Sequence, residues 1–559
     1  MTLQLRSKKL GTILVAAVTA VLFLGSAAVS SAQGSATAPT STTAPTSTTV
    51  PTSTTVPTST TVPSSANPAT TVLQSPAIPG VSPLPGPVVG PAQPSENMGI
   101  LDVTPDQGVA GTPITISGSQ LAPNAKVELT WSTADATWQV QTEPDTVNYL
   151  GRSDTLLTVA LATTTTDASG SFKLSLKAPV DWGGVHDIYA VVNGTEVAHG
   201  GFITLRTVTV SPTSGPVGTP ITITYSGLGP TFYTGGASLL YDNHYVGELM
   251  ANWTRGTAQV TIRAAGSVGK HVIQIGNAIS YLYLNVPQSP IPYTNGAKLI
   301  FTVTQDKVAP GPSIDWPVNV APTVSARTTL DASGLAVTSN VDATLASTSG
   351  PVDTKVALSA TGLSSSAPVS LVWSTVVGNR VDCASTCWIF ASTPLGSAAP
   401  AGGSLQSTIT VPDGLGGWHV VQLMQSGQLV AQVPFYVKES VVGQGVSSLF
   451  LKEGQSFTIH LEGVGWTQLD NTVGVDYDNS YIGYGCGFNS NGDVLLHLNA
   501  TGGPGVHLID MYPMLYSLSP SFANTPYGMV PVLTYAKDYP GLALGYQMPA
   551  IRLAITIVK

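Results

Sequence analysis

Apolar and polar residues alternate with a period of two along most of the chain after residue 98. Between 127 and 131, Val, Leu and Trp alternate with Glu and Thr, and between 457 and 461, Phe, Ile and Leu alternate with Thr and His. This period is typical of half-buried β-strands. Clusters of Gly, Pro, Asn and Asp interrupt the runs roughly every ten residues, as turns do in β-sandwiches. The pattern predicts an all-β protein made of sandwich domains.

Four copies of a Gly-x-His motif indicate an internal repeat. They lie at 184–186, 269–271, 417–419 and 505–507. The first and third copies follow strands that contain Trp-Ser-Thr, and the second and fourth follow Tyr-Asp-Asn. The order is therefore A-B-A′-B′, which indicates a duplicated two-domain unit. The predicted segments are 1–32 (signal peptide), 33–98 (disordered stalk), 99–207 (A), 208–306 (B), 307–341 (connector), 342–439 (A′) and 440–559 (B′, with a Tyr-rich insertion).

The first residues have the pattern of a secretory signal peptide. Arg6, Lys8 and Lys9 precede an apolar stretch, and a small-x-small cleavage site ends at Ala32. The alternative is an uncleaved anchor, because the apolar stretch is just long enough to span a bilayer. Prolines then recur every six residues among Thr and Ser, which predicts a disordered stalk that is either a spacer or a simple tether. We expect no membrane-spanning segment after signal cleavage.

The residues that open A and B are similar to each other. Residues 211–223 read Ser-Pro-Thr-Ser-Gly-Pro-Val-Gly-Thr-Pro-Ile-Thr-Ile, and residues 104–116 end in the same Gly-Thr-Pro-Ile-Thr-Ile. This opening resembles that of IPT/TIG immunoglobulin-like domains. A′ has Asp353 where B has Gly218, and B′ barely matches. The resemblance implies four tandem immunoglobulin-like sandwiches, as in bacterial secreted and surface repeat proteins, and implies little about activity.

The repeated histidines and one acidic cluster are candidates for chemistry. A catalytic His needs partners within hydrogen-bond reach, and the four copies share no neighbouring acid or nucleophile. We therefore expect each His to start a strand, with Gly allowing the turn before it. Asp476, Asp478 and Asn479 could suit calcium, but Asp-Asn between two strands is also typical of a tight hairpin turn. We expect the turn, and no metal or cofactor.

Three cysteines occur in the chain. In an exported protein, Cys383 and Cys387 are expected to form a local disulfide, which stiffens a loop without holding the fold. A metal site would need a second pair of ligands. Cys486 is then left unpaired, either buried or available to cross-link chains.

The best candidate for a ligand surface is the Tyr-rich insertion of B′, between 511 and 549. Such aromatic residues bind glycans or protein partners, or else cover a sheet edge and pack between domains. We expect packing and keep binding as the alternative. The candidate ligand-binding residues are Tyr516, Tyr527, Tyr535 and Tyr539.

Composition narrows the function. Only 9% of residues are charged, the net charge is −9, and Lys and Arg do not cluster, so nucleic acid is not an expected partner. Common hydrolase, phosphate-loop and dinucleotide motifs are missing. The leading hypothesis is a non-catalytic extracellular or cell-envelope protein, structural or adhesive, that contacts envelope components, other copies of itself or glycans. The alternatives are a secreted carbohydrate-binding protein that uses the Tyr-rich insertion, and an enzyme with a site at a domain junction.

Overall fold

The computed structural model describes residues 81–559 except for several internal segments. These residues form β-strands and short 3-10 helices at Val286–Gln288 and Pro540–Leu544. No helix in this part of the chain is long and apolar enough to cross a membrane. The predicted all-β class is confirmed. The residues outside the description are 1–80, 144–145, 232–233, 277–281, 283, 289–295, 318–336, 338–339, 365–366, 379–387, 444–448 and 516–529.

The strands form eight sheets that fall into four pairs along the chain, and the first pair is A. Its small sheet has the order β2-β4-β7, and its large sheet has the order β1-β9-β8-β5-β6, with β3 also paired to β9. The strands are β1 Gln93–Ile100, β2 Asp102–Thr104, β3 Gln107–Gly108, β4 Pro113–Gly118, β5 Lys126–Glu143, β6 Thr146–Thr165, β7 Phe172–Lys177, β8 Gly184–Val192 and β9 Thr195–Thr204.

The second pair of sheets is B. Its small sheet has the order β10-β12-β15, and its large sheet has the order β11-β17-β16-β13-β14. The strands are β10 Thr207–Ser211, β11 Ser214–Gly215, β12 Pro220–Ser226, β13 Gly236–Tyr241, β14 His244–Met250, β15 Thr257–Arg263, β16 Gly269–Gly276 and β17 Ala297–Val303.

The third pair of sheets is A′, which follows strand β18 at Ser313–Asp315. Its small sheet has the order β19-β21-β24, and its large sheet has the order β20-β26-β25-β22-β23. The strands are β19 Asp342–Leu345, β20 Ser349–Gly350, β21 Lys355–Thr361, β22 Val369–Gly378, β23 Trp388–Ala398, β24 Ser404–Thr410, β25 Gly417–Gln425 and β26 Gln428–Val437.

The fourth pair of sheets is B′. Its small sheet has the order β27-β29-β32, and its large sheet has the order β18-β35-β33-β30-β31, with β28 on β35 and β34 on β33. The strands are β27 Ser440–Val441, β28 Phe450–Lys452, β29 Ser456–Glu462, β30 Thr472–Tyr477, β31 Ser480–Cys486, β32 Val494–Asn499, β33 Gly505–Leu515, β34 Val530–Pro531 and β35 Ala550–Val558.

All four pairs share one topology. The first strand pairs antiparallel in the small sheet, and the chain then crosses to pair parallel with the last strand of the large sheet, as β3 does with β9 and β11 with β17. The strands β20 and β28 repeat this parallel pairing. The first segment of each domain therefore contributes one strand to each of its two sheets. This arrangement, over a core of alternating inward-facing residues, is that of the immunoglobulin-like sandwich. The predicted class of immunoglobulin-like β-sandwich domains is confirmed.

The loop after each crossing explains the sequence motif that A and B share. Added Cβ atoms on Gly108 and Gly215 would lie 2.6 and 2.4 Å from the hydroxyl oxygens of the threonines four residues later, so a larger residue does not fit. The residue before the threonine is in the left-handed region in A, B and A′, with φ of 83° at Gly111, 87° at Gly218 and 65° at Asp353. Asp tolerates that region better than most residues, so the departure in A′ keeps the same loop.

Two predicted boundaries need correction. The expected stalk extends to residue 98, but β1 begins at Gln93 and pairs with β9, and Val88 forms a bridge with Val159. The expected connector, 307–341, contains β18, which pairs with β35 in the large sheet of B′. In both cases Pro-rich sequence adds a strand at a sheet edge, where proline is tolerated.

Candidate functional site

The histidines of A and A′ are structural anchors. His186 lies 2.8 Å from Ser132 O and 2.9 Å from Trp182 O, and its ring stacks on Trp131 at 4.3 Å. In A′, His419 repeats this arrangement with two backbone carbonyl oxygens and stacks on Trp373 at 4.9 Å. Complete burial lowers the pKa of His419 despite these carbonyl contacts. These rings connect two strands and a turn within one sandwich.

The histidines of B and B′ have an acidic partner that the sequence analysis missed. His271 Nδ1 lies 2.5 Å from the Asp242 carboxylate, and His507 Nδ1 lies 2.6 Å from the Asp478 carboxylate. The second ring nitrogen of His507 contacts Gly503 O at 2.9 Å. Burial opposes protonation, but the bond and charge of Asp478 outweigh it, and the pKa of His507 is raised. The equal spacing of 29 residues from Asp to His in both copies was the available signal.

The Asp-Asn pairs are hairpin turns, as expected. Asp242, Asn243, Asp478 and Asn479 all have positive φ, between 48° and 68°. The Asp478 carboxylate accepts a bond from Leu508 N at 2.8 Å in addition to its contact with His507. Because Asp478 is committed to these partners, the structure favours the turn over the calcium alternative at this position.

The Tyr-rich insertion lies inside the protein as far as the structure describes it. Tyr535 is 6% exposed, and its hydroxyl donates to Asp315 O at 3.1 Å. Burial is the main reason that the pKa of Tyr535 is raised to about 12. Tyr539 is 0% exposed, and its hydroxyl lies 2.9 Å from Leu469 O. Neither ring offers a ligand surface in this structure. Tyr516 and Tyr527 lie outside the described residues.

Buried aromatic residues from all four sandwiches meet around this insertion. Trp138, near the tip of the β5–β6 hairpin of A, donates to Asp538 Oδ1 at 2.7 Å across 400 residues of sequence. Trp418 of A′ donates to Gly545 O at 3.3 Å. One continuous apolar cluster also includes the core of B. We call this cluster the aromatic junction; its aromatic members outside the B core are Trp138, Trp418, Tyr436, Tyr512, Tyr535, Tyr539 and Tyr546.

Asp538 is a buried acid at the centre of the aromatic junction. It is 0% exposed, and burial raises its pKa to about 7, although the hydrogen bond from Trp138 works in the opposite direction. The backbone N–H of Tyr149, on the same hairpin as Trp138, donates to Gln468 Oε1 of B′ at 3.0 Å. The hairpin of A is therefore held by polar as well as apolar contacts.

A buried ionic network joins B to B′. Arg263 of B contacts both carboxylate oxygens of Asp510 of B′, at 2.5 and 3.2 Å. Arg552 contacts Asp510 at 3.3 Å and Asp315 at 2.5 Å, and it donates to Thr261 O at 2.8 Å. The last contact covers the edge of the small sheet of B. The three residues Arg263, Asp510 and Arg552 are at least 95% buried.

The contacts between A and B recur between A′ and B′. Gly183 N donates to Leu228 O at 2.8 Å in the first unit, and Gly416 N donates to Val464 O at 3.0 Å in the second. At both places the glycines are packed against backbone atoms that leave no room for a Cβ. Each half of the duplication therefore has the same close interdomain geometry.

The cysteines and potential metal ligands give no confirmed site. Cys383 and Cys387 lie outside the described residues, so their disulfide stays a prediction, and Cys486 is an exposed free thiol. In the described part of the chain, His460, Glu462 and Asp493 have ligand atoms within 4.8 Å of one another. The bond between His460 and Asp493, at 2.7 Å, accounts for part of this grouping.

Comparisons with known proteins give only distant similarities. No protein-family model matches the chain, and neither does any curated protein. Among solved structures, the chain is similar to alpha-2-macroglobulin of E. coli (10% identity, TM-score 0.15, 81% of this chain and 30% of that chain). It is also similar to the Escherichia coli adhesin FdeC (14% identity, TM-score 0.15, 63% of this chain and 99% of that chain). A third similar structure is a putative membrane-anchored protein of Corynebacterium diphtheriae (13% identity, TM-score 0.16, 82% of this chain and 91% of that chain).

The chain spans about a third of the length of the alpha-2-macroglobulin that it matches. The resemblance to IPT/TIG domains stays a prediction within the confirmed immunoglobulin-like class. The function has to be inferred from the residues of the chain itself.

Proposed function

We propose that this chain is an exported, non-catalytic structural or adhesion protein of the cell surface or extracellular space, in which the sandwiches act as one rigid body. The aromatic junction carries the proposal. It uses the aromatic residues that could have formed a ligand surface, Tyr535 and Tyr539 among them, to hold A, B, A′ and B′ together. Such a body presents its outer faces in fixed positions, which suits assembly with envelope components or with further copies.

The predicted signal peptide and stalk complete the proposal. A Thr/Pro-rich segment before β1 would separate the body from its point of attachment, and proline-rich chains are stiff enough to do so. The glycan-binding alternative now depends on Tyr516 and Tyr527, outside the described residues.

The test is fractionation of the native host into medium, envelope and cytoplasm, with sequencing of the N-terminus and determination of the native mass. We expect a chain cleaved near Gln33 and recovered with the envelope or as a high-mass species. A cleaved monomer found only in the medium would contradict the structural or adhesive role. Recovery in the cytoplasm would contradict export.

The role of the rigid body is tested with a matched pair of variants on one hairpin. Trp138→Ala removes the contact with Asp538, whereas Leu156→Ala changes a residue that is 78% exposed. We expect envelope association or high-mass assembly to fall with Trp138→Ala and to stay with Leu156→Ala. Equal behaviour of the two variants would show that the junction does not serve the function.

A further inference from the structure

The residues before β1 add a further strand at the edge of the large sheet of A. We call residues 81–89 the strap. Ala160 N donates to Pro87 O at 2.9 Å, and Val89 N donates to Thr158 O at 3.0 Å. These bonds place the strap outside β6, which is otherwise the last strand on that side of the sheet. The edge of β6 therefore accepts an added strand, as unpaired sheet edges can do.

The strap is matched to this edge but lies mostly at the surface. An added Cβ on Gly86 would lie 2.1 Å from Ala160 O, so only glycine lets the two backbones approach. Leu84 packs against the core of A. Val81 and Val88, in contrast, are 45% and 59% exposed. The strap therefore recognises the edge of β6 through its backbone, while few of its side chains are buried.

A very short link joins the strap to β1 on the opposite side of the sheet. The strands β6, β5, β8 and β9 lie between the strap and β1, which would place the two about 24 Å apart on a flat sheet. From Val89, bonded to β6, to Gln93, paired with β9, the chain has four residue steps. Fully extended, they span about 14 Å. Such a link can bridge the two edges only over a strongly curled sheet, and it has little slack.

The link crosses the outer face of the sheet without packing closely on it. An open cavity of about 650 Å³ lies between residues 87–92 and the sheet, where Glu128, Thr130 and Val191 are among the lining residues. The link itself supplies only Gly, Pro and Ala side chains. Few contacts are therefore lost when the link leaves the sheet. Short hinge segments with little slack favour exchange of the same element between copies of a protein.

A′ has the equivalent edge in a form that does not accept the strap. Ala160 of β6 pairs with Thr130, next to a bulge. Pro394 of β23 pairs with Val372, next to the equivalent bulge. Thr130 and Val372 each come directly before Trp-Ser-Thr, so the two positions correspond. Proline has no N–H and cannot donate the bond that Ala160 gives to the strap. Of these two edges, only that of A can bind the strap in this way.

We propose that the strap is exchanged between copies of this chain, so that residues 81–89 of one copy pair with the edge of β6 in another. The exchange rests on the proposed function, since it is the contact through which copies would assemble. The exchanged strap makes the same hydrogen bonds, and the link after Val89 no longer has to span the sheet. Each copy donates one strap and accepts one, so the exchange gives closed dimers or longer chains.

Cysteines at the paired positions Val88 and Val159 distinguish exchange from pairing within one chain. The flanking bonds show that these residues form a non-hydrogen-bonded pair, for which a Cα separation of about 4.5 Å permits a disulfide. Val88→Cys and Val159→Cys are placed in separate chains that also carry Cys486→Ser, and both chains are produced in the same cells. We expect a disulfide between copies on a non-reducing gel. Thr393→Cys, at the matching position in A′, replaces Val159→Cys in the control and should give none.

Two further variants act on the edge and on the link. Ala160→Pro copies A′, where the same sandwich accommodates proline, and should weaken self-association about tenfold or more in sedimentation velocity, with an unchanged circular dichroism spectrum. A Gly-Gly-Ser insertion after Gly90 gives the link slack, so it should favour pairing within the chain and also lower the native mass. The same insertion after Gly427, in an exposed turn of A′, is the control and should leave the mass unchanged.

Two outcomes would overturn the exchange. Separate chains that give no disulfide, while a chain with both Val88→Cys and Val159→Cys forms one internally, would show that the strap stays on its own sheet. If a high-mass species is present in that case, the proposed function stands and the copies assemble through another contact. A parent chain found only as a monomer in the medium would contradict both the exchange and the proposed assembly.

Discussion

B and B′ share a fold but differ on one face of the large sheet. In B, neighbouring strands place Leu240, Gln274 and Lys298 in one row across the sheet. In B′, the matching row is Asp476, Asp510 and Arg552. Both copies keep the Asp-Asn turn and its His, which hold the sandwich together. The row in B′ instead contacts B, so the two copies share their internal anchors and differ in the surface through which B′ contacts B.

The contacts that centre on B′ are expected to dominate stability, and the aromatic junction is their largest part. Trp138→Ala removes a 7% exposed ring and its bond to Asp538, so we expect a loss of about 3–5 kcal/mol in the free energy of unfolding. Denaturant unfolding followed by fluorescence and circular dichroism measures it. Leu156→Ala, on the same hairpin, should stay within about 0.5 kcal/mol of the parent. Similar losses for both would show that the hairpin does not hold the body together.

The ionic network comes next. Asp510→Asn keeps the shape but leaves Arg263 and Arg552 without their shared carboxylate, so we expect a loss of about 3 kcal/mol. The matched control is Gln274→Asn, at the equivalent position in B, with an expected loss below about 1 kcal/mol. If Asp510→Asn costs no more than the control, then the network adds no net stability to the contact between B and B′.

Sequence patterns predicted what is local and repeated. The period of two predicted the strands, and the spacing of Gly-x-His and Tyr-Asp-Asn predicted the A-B-A′-B′ order. The paired sheets follow that order, with the boundaries at the stalk and connector corrected. The partnership of Asp478 with His507 could have been found, because the same spacing occurs in both copies. The bond between Trp138 and Asp538 could not, because it joins residues 400 positions apart with no repeated counterpart.

The two kinds of His anchor should respond to pH with opposite sign. Because the pKa of His507 is raised, its contribution to the free energy of unfolding is complete below the pKa of the unfolded chain, about 6.5. This contribution is lost as the pH rises through the pKa of the folded protein. Because the pKa of His419 is lowered, its contribution to the free energy of unfolding is complete above the pKa of the unfolded chain, about 6.5. This contribution is lost as the pH falls through the pKa of the folded protein. Each effect should be about 1–2 kcal/mol.

Stability curves from pH 5 to 9 check this difference. His507→Gln should cost most at the acid end of the range, and His419→Gln should cost most at the alkaline end. Parallel curves for the two variants would contradict the assignment of a charged ring to B′ and a neutral ring to A′.

The smallest expected effect is at Asp476, the one acid of the row in B′ that has no hydrogen-bond partner. Burial, and then the charge of Asp510, raise the pKa of Asp476 well above its usual value. A raised pKa of a carboxyl group gives stability that is complete below the unfolded value of about 3.9 and is lost as the pH rises towards the folded pKa. Asp476→Asn removes this loss, because the amide is neutral at every pH. We therefore expect a gain of up to about 1 kcal/mol in the free energy of unfolding at pH 7–8 and none near pH 4.

Leu240, at the matching position in B, shows that the fold does not need an acid there. A loss of stability at pH 8 would mean that the ionised carboxylate of Asp476 is part of the network with Arg552.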